Sequence, residues 1–254
     1  MTELTIACFY WNDPARSEVR THRPFLPNDV LIWKSMFERN LTIPHRLVCI
    51  THLPHLFENI IETVPLDDRT HVPSTCLVKL MAHRPDITPA LGERIFLSDL
   101  DVVVTGNLDK MLGRTEDAVF YKNPNYEEGG RRGFIQGSFQ LFNAGARSQL
   151  WEDFDPNTTP GWLNRRFGGA EQAWISERLN TSYPEPGWEW NEAIWTEADG
   201  VYGAGRLFDG KPDKGVTSEL PENAVLVTIP GNRLPTDPET LKAHPWIAKY
   251  YKVM

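Results

Sequence analysis

The chain has 254 residues, 41% hydrophobic and 24% charged, which is typical of a soluble globular protein with room for one substantial α/β domain. Its formal net charge of −8 argues against a nucleic-acid-binding surface, which needs a basic excess. No apolar run approaches the ~20 residues of a membrane-spanning helix and no export signal is evident at the N-terminus, so we expect a soluble, cytoplasmic protein. Three cysteines, Cys8, Cys49 and Cys76, lack metal-ligand spacing and are predicted to be reduced, buried thiols.

The first hundred residues alternate predicted strands and helices. An apolar run at residues 4–11 predicts a strand, and a helical pattern that Asn28 or Asp29 can cap continues to Asn40. A second strand is predicted at 45–51, so we expect parallel strands joined by a right-handed crossover. A further helix is predicted over residues 75–84, where Lys79 lies beside an apolar stripe.

Beyond residue 105 the pattern continues, with Asn107 expected to cap a short helix. Trp188, Trp190 and Trp195 fall close together; their rings could stack on sugar faces, but packing within the protein is the favoured interpretation. The remaining predicted elements are the Asn107-capped helix at 108–112, a strand at 118–121, a strand hairpin at 134–143, helices at 147–154 and 169–179, a strand at 224–229, and a helix near Trp246.

The strongest functional signal is the pair of carboxylates at Asp99 and Asp101. Alternate side chains of a strand share a face, so both are expected to point the same way, with Leu100 on the opposite face. Carboxylates at the end of a buried strand are costly unless a cation or hydroxyl groups meet them. Mg²⁺ or Mn²⁺ holding nucleotide phosphates is one such partner. An Asp-x-Asp pattern also occurs by chance in solvated loops. Apolar runs at 95–97 and 102–104 favour a buried pair instead.

Several blocks in succession resemble the GT-A nucleotide-sugar glycosyltransferases, nearest to the glycogenin-like and lipopolysaccharide-sugar transferase branch. The resemblance implies an α/β fold: a single GT-A-like, Rossmann-like domain with a central, mostly parallel mixed sheet flanked by helices. It also implies that residues 1–125 bind the nucleotide and that 126–254 form the donor-sugar and acceptor part. The blocks, which cover roughly residues 4–180, are TIACFYW, PHRLVCIT, CLVKLMAHRPD, RIFLSDLDVVVTGNLD, QGSFQLFNAG and GGAEQAWISERL.

The resemblance implies transfer of a sugar from a nucleotide-diphosphate sugar, UDP-linked in this branch, to an acceptor hydroxyl with Mn²⁺ or Mg²⁺. The acceptor stays open between a sugar, a lipid-linked group and a protein. Tyr10 and Trp11 would hold the nucleobase and ribose, and Lys79 would reach the phosphates or the donor sugar. Asp99 would contact ribose or sugar hydroxyls, and Asp101 would ligate the metal, with Asp99 as the second carboxylate of the metal site.

On the sugar side, the resemblance implies that Gln136, Gly137 and Ser138 line the donor-sugar pocket. Glu171 and Gln172 stand where the family commonly has Asp-Gln, close to the reacting sugar. Glu171 is the candidate for a base or a sugar-contacting carboxylate. The stereochemical outcome stays open, because a reaction that retains the anomeric configuration needs no obvious base.

One departure from the family concerns a late His-x-Gly block that supplies a metal ligand, since Pro230 stands in that place here. Three alternatives follow: Asp101 holds the ion with phosphate and water alone, His244 substitutes, or the metal is lost and Arg233 supports the phosphates. A non-catalytic nucleotide-sugar or carbohydrate binder is therefore a rival interpretation. A nucleotidyltransferase is a third, but it would prefer a glycine-rich loop after the first strand, and FYWNDPARSEVR has no glycine.

Overall fold

The structure is a computed structural model. It describes residues 3–11, 25–66, 76–123, 134–155, 157–158, 171–179, 190–205, 207–208, 211–212, 215–229 and 233–253. Its strands, in chain order, are β1 Leu4–Tyr10, β2 His45–Thr51, β3 Glu62–Pro65, β4 Arg94–Ser98, β5 Val102–Val104, β6 Ala118–Lys122, β7 Ile135–Asn143, β8 Ala193–Trp195, β9 Val201–Gly203, β10 Leu207–Phe208, β11 Lys211–Pro212 and β12 Leu226–Thr228.

The helices are mostly short, apart from the first. They are α1 Pro27–Asn40, α2 Thr88–Leu91, α3 Asp109–Leu112, α4 Gln149–Glu152, α5 Glu171–Arg178, α6 Pro238–Ala243 and α7 Ile247–Tyr250, with 3₁₀ helices at Pro54–Phe57, Cys76–His83 and Glu197–Asp199.

A seven-stranded mixed sheet runs through the molecule in the order β3-β2-β1-β4-β7-β6-β8. The β1, β2, β3 and β4 strands are parallel to one another, and β7 enters antiparallel to both β4 and β6. The strand at β8 then pairs parallel to β6. This arrangement confirms the predicted α/β architecture with a central, mostly parallel mixed sheet flanked by helices.

Two apolar cores, one on each face of the sheet, follow the alternation of side chains along β1. Ile6 and Cys8 belong to the core that α1 covers, whereas Ala7 and Phe9 belong to the core under the 3₁₀ helix Cys76–His83 and α5. The 3₁₀ helix and α5 therefore lie on the same face, which brings Lys79 and Glu171 within reach of each other.

Smaller sheets complete the part of the chain that the structure describes. The strands β5, β12 and β9 form a three-stranded sheet, in which β12 is antiparallel to β5 and parallel to β9. The chain leaves the main sheet at Ser98 and enters this second sheet at Val102, so residues 99–101 form the turn between the two sheets. A short β10–β11 hairpin accounts for the remaining paired strands.

Three local predictions are wrong in informative ways. Asp29 does cap α1, but from inside its first turn, where its Oδ2 accepts the backbone N–H of Leu26 at 2.7 Å. The helix predicted over 75–84 is a 3₁₀ helix in its described part. The predicted hairpin at 134–143 is a single strand, β7, because β4 and β6 pair with its two edges and no residue turns the chain back.

The three cysteines are thiols rather than disulfides, as the sequence predicts. Cys8, Cys49 and Cys76 are free thiols, the first two buried and the third half-buried. Cys8 and Cys49 face each other across β1 and β2. Burial, and then the neighbouring thiol of Cys49, raise the pKa of Cys8 well above its usual value, which suits an unreactive core thiol.

Among the described residues, none of the helices has the length and apolar character needed to cross a bilayer.

Candidate active site at the end of the central sheet

The Asp-x-Asp segment is a turn whose backbone is held by three different parts of the chain. Asp99 N donates to Ser138 O at 2.7 Å, and Ile229 N donates to Asp101 O at 3.0 Å. Between them, Leu100 is buried and its carbonyl accepts the hydroxyl of Tyr251 at 3.3 Å. The strand-alternation argument for Asp99 and Asp101 is therefore wrong, because β4 ends at Ser98. The turn is instead fixed by β7, by the end of β12 and by the C-terminal segment.

Lys79 is the centre of a buried ion cluster beside this turn. Its side chain is only 5% exposed, and its ammonium lies 3.0 Å from both carboxylate oxygens of Asp99. It also forms an ion pair with Oε1 of Glu171 and donates to the carbonyl of Gly137 at 2.8 Å. Two carboxylates and one carbonyl thus take up the three donor protons that a lysine ammonium has.

The electrostatic balance of the cluster favours the charged lysine. Burial lowers the pKa of Lys79, but the carboxylates of Asp99 and Glu171 outweigh burial and raise it above its usual value. Glu171 is almost as buried as the lysine, with a side chain 6% exposed, whereas the side chain of Asp99 is 24% exposed. Asp99 is therefore the member of the cluster that solvent, and a ligand, can reach most easily.

Gly137 completes the cluster through its lack of a side chain. It lies within β7, and a Cβ atom placed there would collide with Oε1 of Glu171 and lie 2.9 Å from its Cδ and 3.4 Å from its Cγ. Glu171, the first residue of α5, therefore rests against the Cα of Gly137 on its way to the Lys79 ammonium. The structure brings together Lys79, Asp99, Gly137 and Glu171, four of the residues that the sequence analysis singled out.

Two neighbouring residues that were predicted to line the sugar pocket, Gln136 and Ser138, form hydrogen bonds with the backbone of β7 and of the Asp-x-Asp turn. Oε1 of Gln136 accepts the backbone N–H of Ser138 at 2.6 Å, so this side chain folds back on its own strand. Ser138 is buried, and its carbonyl is the acceptor for Asp99 N. Gln172 follows Glu171 on the first turn of α5 and is half-buried. Their contacts with a sugar stay predictions.

The two residues predicted to hold the base lie on opposite faces of the sheet. Tyr10, the last residue of β1, is buried in the α1 core with its ring 5.0 Å from that of Phe57. Trp11 is half-buried and packs with Phe9 on the other face, which is the face that carries Lys79. The geometry therefore favours Trp11 over Tyr10 as the ring that a base could reach.

The two described tryptophans of this segment, Trp190 and Trp195, pack within the protein, as favoured from the sequence. Trp195 is fully buried against Phe96 and Phe139, and Trp190 packs against Phe120 and Phe134. Trp188 lies outside the described residues.

Arg233 and His244 occupy places that suit structural contacts. Arg233 is 41% exposed and pairs with Glu239 of α6 at 3.0 Å. His244 is buried, with Nδ1 3.0 Å from the carbonyl oxygen of Thr217 and Nε2 3.1 Å from that of Gly205. Because both ring nitrogens of His244 already face protein oxygens, its proposed substitution for the missing metal ligand does not fit. Pro230 itself lies outside the described residues.

The carboxylates of the turn provide an incomplete ligand set for a divalent cation. Across the described ranges, with their gaps, no group of three or more His, Cys, Asp or Glu side chains could hold a metal ion. Both oxygens of Asp99 face the ammonium of Lys79, so a cation there would meet a like charge. Asp101, half-buried on the same turn, is the better-suited protein ligand. A cation would need phosphate oxygens to fill its coordination, which is usual for Mg²⁺.

The arrangement matches a known fold. Among solved structures, the galactosyltransferase LgtC, in complex with donor and acceptor sugar analogues, is similar over 98% of this chain and 97% of that chain, with a TM-score of 0.56 and 9% sequence identity. No protein-family model matches the sequence, and no curated protein matches it. The chain therefore has the GT-A glycosyltransferase fold that its sequence blocks resemble.

Some features of the site could not be found by sequence motif. Tyr251 lies far along the chain from Leu100, and no motif marks the hydroxyl that holds this turn. The pairing of Lys79 with Glu171 also joins distant segments, although both residues were singled out separately. A buried lysine beside two carboxylates is visible only once the 3₁₀ helix, β4 and α5 are placed in space.

Proposed function

We propose that this protein is a glycosyltransferase that moves a sugar from a nucleotide-diphosphate sugar, UDP-linked in the first instance, to an acceptor hydroxyl, with a divalent cation bound through the Asp-x-Asp turn. The proposal is supported by the GT-A fold and by the charged cluster at the end of β4. The sugar and the acceptor are left open.

The observation that carries the proposal is the charge of the cluster. Lys79 pairs with the carboxylates of Asp99 and Glu171, and Asp101 lies two residues from Asp99 on the same turn, so these four side chains have a formal net charge of −2, one positive against three negative. A diphosphate placed beside such a cluster would be repelled unless a cation lay between them. Asp101 with the diphosphate oxygens is the ligand set that we propose for Mn²⁺ or Mg²⁺.

When bound, the cation would supply positive charge that stabilises the diphosphate leaving group. The chain's own residues would fix the donor. Trp11 offers an aromatic ring at the end of β1, and Asp99, the more exposed carboxylate, can accept hydrogen bonds from ribose or sugar hydroxyls. Glu171 would lie close to the reacting sugar, with its Oε1 held by Lys79. Such fixed groups stabilise a developing charge without reorganisation.

Binding and turnover test the proposal together. A thermal-shift panel of nucleoside diphosphates and nucleotide sugars, each with Mn²⁺, Mg²⁺ or EDTA, should show stabilisation by one nucleotide class only when metal is present. The nucleotide sugar that stabilises best is then incubated with the protein, and release of nucleoside diphosphate is followed with and without candidate acceptors. Stabilisation and release together would support the proposal, and no stabilisation by any nucleotide would contradict it.

A specific observation also favours a second candidate, a nucleotide-sugar or carbohydrate binder without catalysis. The donor protons of Lys79 are taken up by Asp99, Glu171 and Gly137, so the lysine is not poised to meet a diphosphate. The same panel separates the two candidates, because a binder would be stabilised by the nucleotide sugar but release no nucleoside diphosphate above the uncatalysed rate.

A further inference from the structure

We propose that Gly137 is a positioning residue for Glu171: the glycine leaves the space that the glutamate side chain fills, and this contact holds the carboxylate against Lys79. The inference rests on the proposed function, in which Glu171 faces the reacting sugar, and it assigns to Gly137 a role different from lining the sugar pocket. The two residues form a matched pair, which we call the Gly137–Glu171 contact.

A side chain at residue 137 would meet Glu171. The three nearest atoms to a Cβ placed there all belong to Glu171: Oε1, Cδ and Cγ. Gly137 lies in β7, within the irregular part of its pairing with β6, and its φ is outside the left-handed range that favours glycine, so alanine would meet no strain from a positive φ there. The nearest obstacle to a methyl group at residue 137, among the residues that the structure describes, is therefore the Glu171 side chain.

Glu171 cannot move aside without losing its ion pair with Lys79. Its side chain is 6% exposed, and Oε1, the atom nearest to the added Cβ, is the oxygen that pairs with Lys79. The same lysine donates to the carbonyl of Gly137 and contacts both oxygens of Asp99. A displaced Glu171 would therefore break its own ion pair and remove one of the groups that hold Lys79 against Asp99.

The contact depends on the length of the acidic side chain at residue 171. Glutamate has one methylene more than aspartate, and here the longer side chain runs over the Cα of Gly137. A shorter aspartate at residue 171 would withdraw the carboxylate from the space above residue 137. Gly137→Ala should then be harmful when residue 171 is glutamate and nearly silent when it is aspartate.

A double-mutant cycle of Gly137→Ala and Glu171→Asp tests the contact, with Gly106→Ala as the matched control. A Cβ at Gly106 would lie 3.2 Å from Val225 Cγ1 and meet no carboxylate. The first readout is amine acetylation of Lys79 by mass spectrometry, normalised to the more exposed Lys34 of the same molecule. Gly137→Ala should raise the relative rate at Lys79 at least tenfold, and Gly106→Ala should leave it unchanged.

The second readout is turnover of the nucleotide sugar chosen from the panel. Gly137→Ala should lower kcat at least tenfold while nucleoside-diphosphate affinity changes less than threefold, since the proposed ligand of the cation and diphosphate is Asp101. In the Glu171→Asp background, Gly137→Ala should change neither the acetylation rate nor kcat by more than twofold. Equal effects of Gly137→Ala in both backgrounds, or no effect in the parent, would overturn the proposal.

The remaining outcomes are also decisive. If Gly137→Ala alone fails to fold, folding of Gly137→Ala/Glu171→Ala supports the contact, and failure of that double variant as well overturns it. If no protein, the parent included, turns over any nucleotide sugar, the proposed function fails, but acetylation of Lys79 across the cycle still decides whether Gly137 positions Glu171.

Discussion

Replacing Lys79 by methionine tests the ion cluster most directly. Methionine keeps an unbranched apolar side chain in the same space but removes the ammonium from between two carboxylates. In the parent the ammonium contacts Asp99, Glu171 and the Gly137 carbonyl, all at a site where the lysine is 5% exposed. In the variant, the two carboxylates would lose their shared counterion and repel each other.

The expected cost can be worked out from burial. Removing one partner of a buried ion pair typically costs about 3 to 5 kcal/mol in the free energy of unfolding, because a charge stays buried and uncompensated. Glu171 fits that case, but Asp99 is a quarter exposed and partly screened by water. We therefore expect a loss of about 3 kcal/mol for Lys79→Met at neutral pH, at the lower end of that range.

Urea unfolding of Lys79→Met and of the matched variant Lys34→Met measures this difference. Lys34 pairs with Glu38 at 2.5 Å on the surface of α1, where the two side chains are 27% and 47% exposed. An exposed pair of this kind contributes about 0.5 kcal/mol or less, so Lys34→Met should be close to silent. Equal destabilisation by the two substitutions would refute the buried-cluster argument.

The pH dependence gives a second check on the same variant. The carboxylates raise the pKa of Lys79 above its usual value, so its stabilising contribution is complete below the unfolded pKa of about 10.4 and is lost only as pH rises through the higher folded value. The parent therefore keeps the contribution from pH 5 to 9. The deficit of Lys79→Met should therefore stay constant from pH 5 to 9; a deficit that disappears within this range would contradict this account.

Three further predictions concern the turn, the cation and a buried histidine. Asp101→Ala should abolish nucleotide-sugar turnover, because it removes the proposed cation ligand while the backbone bond from Ile229 N to Asp101 O can still form; unchanged turnover would remove Asp101 from the site. In calorimetric titrations, nucleoside diphosphate and Mn²⁺ should strengthen each other's binding by the same factor, whereas equal nucleotide affinity in Mn²⁺ and EDTA would exclude metal dependence. Burial, opposed by the hydrogen bond with Gln140 and reinforced by the charge of Arg147, lowers the pKa of His83 to about 4. The unfolding free energy should therefore rise by about 3 kcal/mol from pH 4 to 6.5, because the unfolded chain binds the proton first. His83→Gln should flatten that rise in urea unfolding.

Much of the fold follows from patterns that act over a few residues. The apolar runs at β1 and β2 and the helical pattern of α1 agree with the structure to within one or two residues, because burial on both faces of a parallel sheet leaves a continuous apolar signal. The prediction at 134–143 was wrong for the opposite reason. Whether that segment turns back or stays extended depends on β4 and β6, which only the folded chain brings to its two edges.

The candidate site divides in the same way. Asp99 and Asp101 could be found from sequence because they stand directly after a buried strand, and Lys79, Gly137 and Glu171 because they lie in blocks that resemble a known family. Their mutual contacts could not be predicted, since a lysine beside an apolar stripe is equally suited to the surface. Only the packing of the 3₁₀ helix and α5 on one face of the sheet encloses Lys79 between carboxylates.

The turn at Asp99–Asp101 shows why the site depends on the whole domain. Its three backbone contacts come from Ser138 in β7, from Ile229 after β12 and from Tyr251 near the end of the described chain, so segments far apart in sequence hold three consecutive residues. Most of the charged side chains of the cluster are also held in position by buried contacts. A diphosphate and its cation would then meet carboxylates already in place, and their binding would not have to offset the ordering of a loop. Loosening any one of the three anchors should weaken ligand binding at Asp99 and Asp101 without changing a single charge.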